Sequence, residues 1–242
     1  MRPKQLQRSE YGPATAQFLD VAYKDYLAAR VLLNAHLLVQ GAVLASTAVE
    51  KYFKAVLAFR GHQSHGHLKK AHINAAKNFD SRLASVLNDE FLTLLQRAYS
   101  LRYLDDIAPD FNLVIASREF LAELDLTAGM FQESFNLKTD GKPVVLAYQQ
   151  AKEQQDPRLI DDNFLFIDVE KPVQPMKRAF ISAEPQLVYE VRRCKLRGLA
   201  EAIYSIGPTE SDGKFLRPAY VPLDAKEMSF QLAFKPLPPS SE

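Results

Sequence analysis

Eleven of the fourteen prolines in this 242-residue chain lie beyond residue 141. Proline inside a helix removes a backbone donor and clashes with the preceding turn, at about 3 kcal/mol. Long helices are thereby directed to the first part of the chain. Between Pro13 and Gly41 there is neither proline nor glycine. Phe18, Val21, Ala22, Ala28, Ala29, Leu32, Leu33 and Val39 recur there at three- and four-residue steps. That period predicts a helix with one buried face. Pro13 suits its first turn, and Gly41 is expected to break it.

A second helix is predicted from Ala42 to about Arg60, ended by Gly61. Its apolar positions (Val43, Leu44, Ala45, Ala48, Val49, Tyr52, Phe53, Val56, Leu57) nearly encircle it, which places it in the middle of a bundle. After a polar loop, a shorter helix is expected over residues 67–79. Another follows Asn88, a good N-cap, with the stripe Phe91, Leu94, Leu95, Ala98, Leu101. A last long helix, capped by Asp110 or Asn112, carries Leu113, Phe120, Leu124, Ala128, Phe131 and Phe135. Such helices joined by short loops predict an antiparallel up-down bundle.

After Thr139-Asp140-Gly141 the pattern shortens and alternates, as strands do. Met228 to Phe234, the stripe Leu187, Tyr189, Val191, and Phe164 to Val169 are the strand candidates. Lys195 to Tyr204 is a short helix or a strand continuation. The expected class is α+β: a helical bundle over 1–138, then a small β-rich appendage over 139–242.

Composition excludes several classes. Residues 1–137 carry fifteen Lys/Arg and fourteen Asp/Glu, and the remainder fifteen of each. No bulk basic signature of nucleic-acid binding exists. The single cysteine, Cys194, forms no internal disulfide, so a reducing, cytoplasmic location is expected. No apolar run reaches the roughly 18 residues of a membrane span. The sequence holds no G-x-G-x-x-G, Walker A or G-x-S-x-G motif, so no cofactor is expected.

Ala48-Val49-Glu50-Lys51-Tyr52-Phe53-Lys54-Ala55-Val56-Leu57 resembles the A-x-E-K-x-x-K-A-h-L signature of HEPN domains (higher eukaryotes and prokaryotes nucleotide-binding). Asp25, Ala28, Ala29 and Leu32-Leu33 match the D-x-x-x-A-x-x-L-L run of the preceding helix. Gly61, His67 and Leu68 follow the family's loop pattern. Arg102-Tyr103-Leu104-Asp105 resembles its R-Y-P-D element, with Leu104 in place of the proline. The resemblance covers residues 14–135. It implies a four- or five-helix bundle, a homodimer, and either RNA cleavage or binding of nucleotides or RNA, often within toxin–antitoxin or defence systems.

Family ribonucleases place a histidine four to six residues after an arginine. A cation there holds the phosphate, and an imidazole moves protons at the ribose and the leaving oxygen. Arg102 has no such histidine, nor has Arg97, and none occurs after His72. No catalytic residue is therefore assigned. The expectation is a non-catalytic dimeric module whose ligand-binding candidates are Asp25, Lys51, Lys54, Arg102 and Tyr103. Asp25 interrupts an apolar stripe and needs a partner, which Lys51 or Lys54 supplies; the lysines also suit a phosphate. Arg102 offers a guanidinium for phosphate and Tyr103 a ring for stacking.

Two other functional readings compete with this one. One is a divergent ribonuclease toxin. The other is a scaffold that docks a protein partner through residues 140–235. His62, His65 and His67 form a weak alternative metal cluster, and His36 is expected to be a partly buried helix residue. Arg192, Arg193, Lys195 and Arg197 are read as a solvated strand face, and Cys194 among them as non-catalytic. Asp105-Asp106 and Asp161-Asp162 are read as caps.

Overall fold

The computed structural model describes residues 10–103, 107, 111–139, 141–166, 186–194 and 198–206. Helix α1 (Tyr11–Asn34) and helix α2 (Leu38–Phe59) form a helical hairpin. The break falls at residues 35–37, earlier than Gly41, with His36 in the left-handed region at φ 61°. His36 is thus an exposed turn residue, not a helix residue. Gly41 lies inside α2 for a different reason. A Cβ there would stand 2.7 Å from Leu33 Cγ, so glycine lets the two helices close on each other. At the far end of α2 the expected stop holds. Gly61 takes φ 77°. Its N–H donates to Ala58 C=O at 2.9 Å and that of His62 to Leu57 C=O at 2.8 Å. These bonds satisfy the carbonyls that a helix end leaves unmet.

Helix α3 (Lys70–Lys77) starts after His67 and stops before Phe79, because His67 is held elsewhere. Helix α4 (Ser81–Val86) was not expected from the sequence; the Asp80 carboxylate caps it, accepting from Arg82 N–H at 2.8 Å. Helix α5 (Asp89–Ser100) begins at Asn88, whose side chain accepts from Glu90 N–H at 2.9 Å.

The expected last helix is corrected. Residues Asn112–Ala116 form strand β1, and helix α6 runs only over Ser117–Glu133. Leu113-Val114-Ile115 is apolar on neighbouring positions and includes two β-branched residues, which favours a strand covered on both faces. Asn112 therefore lies in β1 rather than at a helix cap, and Asp110 is outside the described residues. Helix α6 is buried on nearly every side, packing on α1, α2, α4 and the sheet.

Beyond α6, strands β2 (Lys138–Thr139) and β3 (Lys142–Pro143) pair around Gly141. Helices α7 (Ala147–Glu153) and α8 (Pro157–Ile160) then pack on α1, where strands were expected. The Asp20 carboxylate of α1 accepts from the first amide of α7, Ala147 N–H, at 3.3 Å. Phe164–Phe166 forms a turn rather than a strand, and 167–169 lies outside the described residues, as does 228–234.

Strands β4 (Gln186–Cys194) and β5 (Gly198–Ile206) make an antiparallel hairpin. β4 also pairs antiparallel with β1, with Ala116 opposite Val188 and Val114 opposite Glu190, so the sheet order is β1-β4-β5. The expected stripe is present in Tyr189 and Val191, but Val188 is buried as well. Residues 198–204 are strand. Arg192, Arg193 and Cys194 lie in β4, while Lys195 and Arg197 lie outside the described residues. The class is α+β, dominated by helices.

One polar knot ties the late helices to the early ones. Arg30 of α1 pairs with Asp125 of α6, both buried. Arg30 Nη2–H also donates to Asp161 C=O at 2.6 Å. Tyr26 O–H donates to Asp125 at 2.7 Å, and Phe164 N–H donates to its second oxygen at 3.2 Å. Asn163 amide N–H groups reach Tyr26 at 3.0 Å and Leu159 C=O at 2.8 Å. Burial pushes the Asp125 carboxyl above its ordinary value, against Arg30, Tyr26 and the Phe164 amide. Burial works against the Arg30 charge, and Asp125 overcomes it.

Candidate functional site

The site lies where the middle of α2, the loop 61–69 and the end of α5 meet. His67 sits in that loop, and its two ring nitrogens are both engaged. Nε2 lies 2.8 Å from Ser46 Oγ, and Nδ1 bonds the Glu50 carboxylate. Ser46 O–H donates to Leu95 C=O at 2.7 Å, so the serine accepts from His67. The carboxylate can only accept. Both ring nitrogens of His67 are thus spent on protein groups. Its ring stacks on Tyr99 of α5 at a centroid distance of 3.6 Å and an interplanar angle of 16°. Gln96 of α5 fixes the next residue, its amide N–H donating to Leu68 C=O at 2.6 Å.

The stack continues outward. The Arg102 guanidinium lies 5.1 Å from the Tyr99 ring centroid and 5.7 Å from that of Tyr103. Cations on aromatic faces attract by about 0.5–1 kcal/mol at exposed sites. The result is a ladder of four side chains: His67, Tyr99, Arg102, Tyr103. Its end is open, with Tyr103 53% exposed.

Glu50 joins the ladder to α2, because it also pairs with Lys54 one turn on. Burial opposes ionisation of Glu50, and the bonds from His67 and Lys54 outweigh it, holding its carboxyl below the ordinary 4.5. A depressed carboxyl contributes stability that is present above the unfolded value and lost as pH falls through the folded one. Thermal melts should therefore fall more steeply on acidification below 4.5 for wild type than for Glu50→Gln. Equal slopes would show that Glu50 is not the group involved.

His72 of α3 lies behind this face. It is buried, with Ser64 Oγ 2.7 Å from its Nε2. Burial first, then Lys54, pushes its imidazole below the ordinary value; Glu50 pulls the other way.

The structure divides the five sequence candidates into two groups. Lys54, Arg102 and Tyr103 belong to one connected array through Glu50, His67 and Tyr99. Asp25 and Lys51 form a separate ion pair across α1 and α2 at 2.5 Å. Of the three-histidine alternative, His62 and His65 are exposed, whereas His67 spends both nitrogens on protein groups. Among the described residues no group of three or more His, Cys, Asp or Glu is placed to hold a metal ion.

Ser46, His67 as a ring partner, and Tyr99 were missed by sequence reasoning, as was Glu50 as a bridge. One signal was available. Residues 51–79 hold Lys51, Lys54, Arg60, Lys69, Lys70 and Lys77 and no Asp or Glu. The balanced charge of the half-chain conceals this run.

No family model, curated protein or solved structure matches the chain. Among the described residues no helix is long and apolar enough to cross a membrane.

Proposed function

We propose that this chain is a HEPN-like module that dimerises and binds a nucleotide or RNA phosphate without cleaving it. Modules of this kind serve toxin–antitoxin and defence systems. The observation that carries this reading is the His67–Tyr99–Arg102–Tyr103 ladder. It presents a guanidinium and an open aromatic face side by side, as phosphate and base require. Lys54 adds a cation beside Glu50, at the inner end of the ladder. Non-catalytic binding is favoured because both ring nitrogens of His67 are engaged by Ser46 and Glu50, and His72 is buried.

Titration with adenosine monophosphate and a short oligoribonucleotide tests the proposal. Arg102→Ala should weaken binding about 10-fold or more, in line with the 1–3 kcal/mol of a stacking or phosphate contact. Negligible binding by the wild type, or equal binding by both proteins, rejects it.

A further inference from the structure

The outer part of the ladder sits on one face of a helix end. Past α5 the backbone keeps turning: Arg102 N–H donates to Tyr99 C=O at 3.2 Å and Tyr103 N–H to Ser100 C=O at 3.1 Å. Tyr99 and Tyr103 are four residues apart and Arg102 lies between them, so all three share a face. The two rings are used differently. Tyr99 is half-buried and already occupied, with His67 stacked on it at 3.6 Å and the Arg102 guanidinium 5.1 Å away. Tyr103 is 53% exposed. Its ring has the guanidinium over it at 5.7 Å, and no ring stacks on it among the described residues. The ladder therefore ends in one open ring beside an exposed guanidinium.

We propose that Tyr103 seats one unpaired nucleobase whose phosphate lies on Arg102, so that the ladder takes mononucleotides and single strands, purines before pyrimidines, and not duplexes. The inference rests on the ladder being the ligand site. A base inside a duplex has both faces covered by its neighbours. Only an unpaired base can be splayed onto a side-chain ring. Stacking uses the face of a base rather than its edge, so the larger purine gains more from it. The guanidinium can serve both contacts at once. Its flat face lies toward the tyrosines, and its N–H groups lie in its own plane, where they suit phosphate oxygens. With one open ring, one base is held per ladder. The Tyr103 hydroxyl has no part in this, so phenylalanine should replace the residue.

Titrations with adenosine monophosphate, cytidine monophosphate and ribose phosphate test the inference, since ribose phosphate lacks the base. Wild type should bind adenosine monophosphate about 10-fold or more tighter than ribose phosphate, and a few-fold tighter than cytidine monophosphate. Tyr103→Phe should keep both margins. Tyr103→Ala should lose them and still bind ribose phosphate as wild type does. A short oligoadenylate should displace adenosine monophosphate. The same strand paired with oligouridylate should compete about 10-fold less well.

Equal affinity for adenosine monophosphate and ribose phosphate, with both weakened by Arg102→Ala, overturns the base seat and leaves the phosphate site standing. Cytidine monophosphate that binds as tightly as adenosine monophosphate overturns the purine preference. A preference for adenosine monophosphate that survives Tyr103→Ala places the base elsewhere and overturns the seat as well. Equal competition by the paired strand overturns the exclusion of duplexes. Absence of binding by wild type removes both the seat and the site. Tyr103 is exposed, so Tyr103→Ala should melt as wild type does. Should it fail to fold, nuclear Overhauser contacts between the adenine protons and the Tyr103 ring of wild type decide the question. Their presence supports the seat, and their absence overturns it.

Discussion

Asp125→Ala is expected to destabilise the protein by about 3–5 kcal/mol, the cost of breaking a buried ion pair by removing one partner. Arg30 is 1% exposed and Asp125 0% exposed. The remaining guanidinium would keep its bond to Asp161 C=O but lose its counter-charge. Tyr26 O–H and Phe164 N–H would lose their acceptor as well. Asp125→Asn should cost less, since an amide oxygen can still accept. Replacing both partners together, Arg30→Met with Asp125→Leu, should cost less than Asp125→Ala alone, because no charge is then left buried. Urea denaturation of the three variants measures these differences. A cost for Asp125→Ala below about 1 kcal/mol would mean that water reaches Arg30 and that the pair is not buried in solution.

Phe131→Ala is the second large effect, at about 3–5 kcal/mol for an aromatic deleted from a core. Phe131 is fully buried on α6. Its ring lies on Tyr52 at 5.3 Å and 10°, and edge-on to Phe53 at 5.1 Å and 83°. Both neighbours are on α2, so one ring joins the two most buried helices. The adjacent Gln132 amide donates to Tyr52 O–H at 3.0 Å, which limits how far Tyr52 can move to fill the space. Poor collapse keeps the cost at the upper end of the range. Phe131→Leu should recover much of the loss. Equal denaturation midpoints for Phe131→Ala and wild type would remove the α2–α6 seam from this account.

The helices were legible because each long one has an amphipathic period and punctuation that means something locally. Asn88 and Gly61 mark their ends by bonds to backbone a few residues away. Gly41 misled because its role is set by Leu33 on another helix, a contact no local pattern reveals. Residues 112–116 misled because Leu113-Val114-Ile115 is apolar at adjacent positions, and only its partner β4 decides for strand. Arg102, Tyr103 and Lys54 were legible as chemistry. Their connection was not, since Glu50, His67 and Tyr99 come from three segments and each reads separately as surface or core. Arg30 and Asp125 sit among apolar neighbours, and their pairing likewise depends on how α1 and α6 meet.

The pairing of β1 with β4 has a consequence for how the chain is made. Synthesis runs from the N-terminus, so β1 and α6 leave the ribosome well before residues 158–166 and 186–206. During that interval β1 is a strand with unmet backbone donors and acceptors, and such edges recruit other chains. Arg30 and Asp125 likewise wait for Asp161 and Phe164. A stop codon between α6 and β4 would thus release a chain with an open edge, prone to aggregate rather than to fold as a free helical bundle.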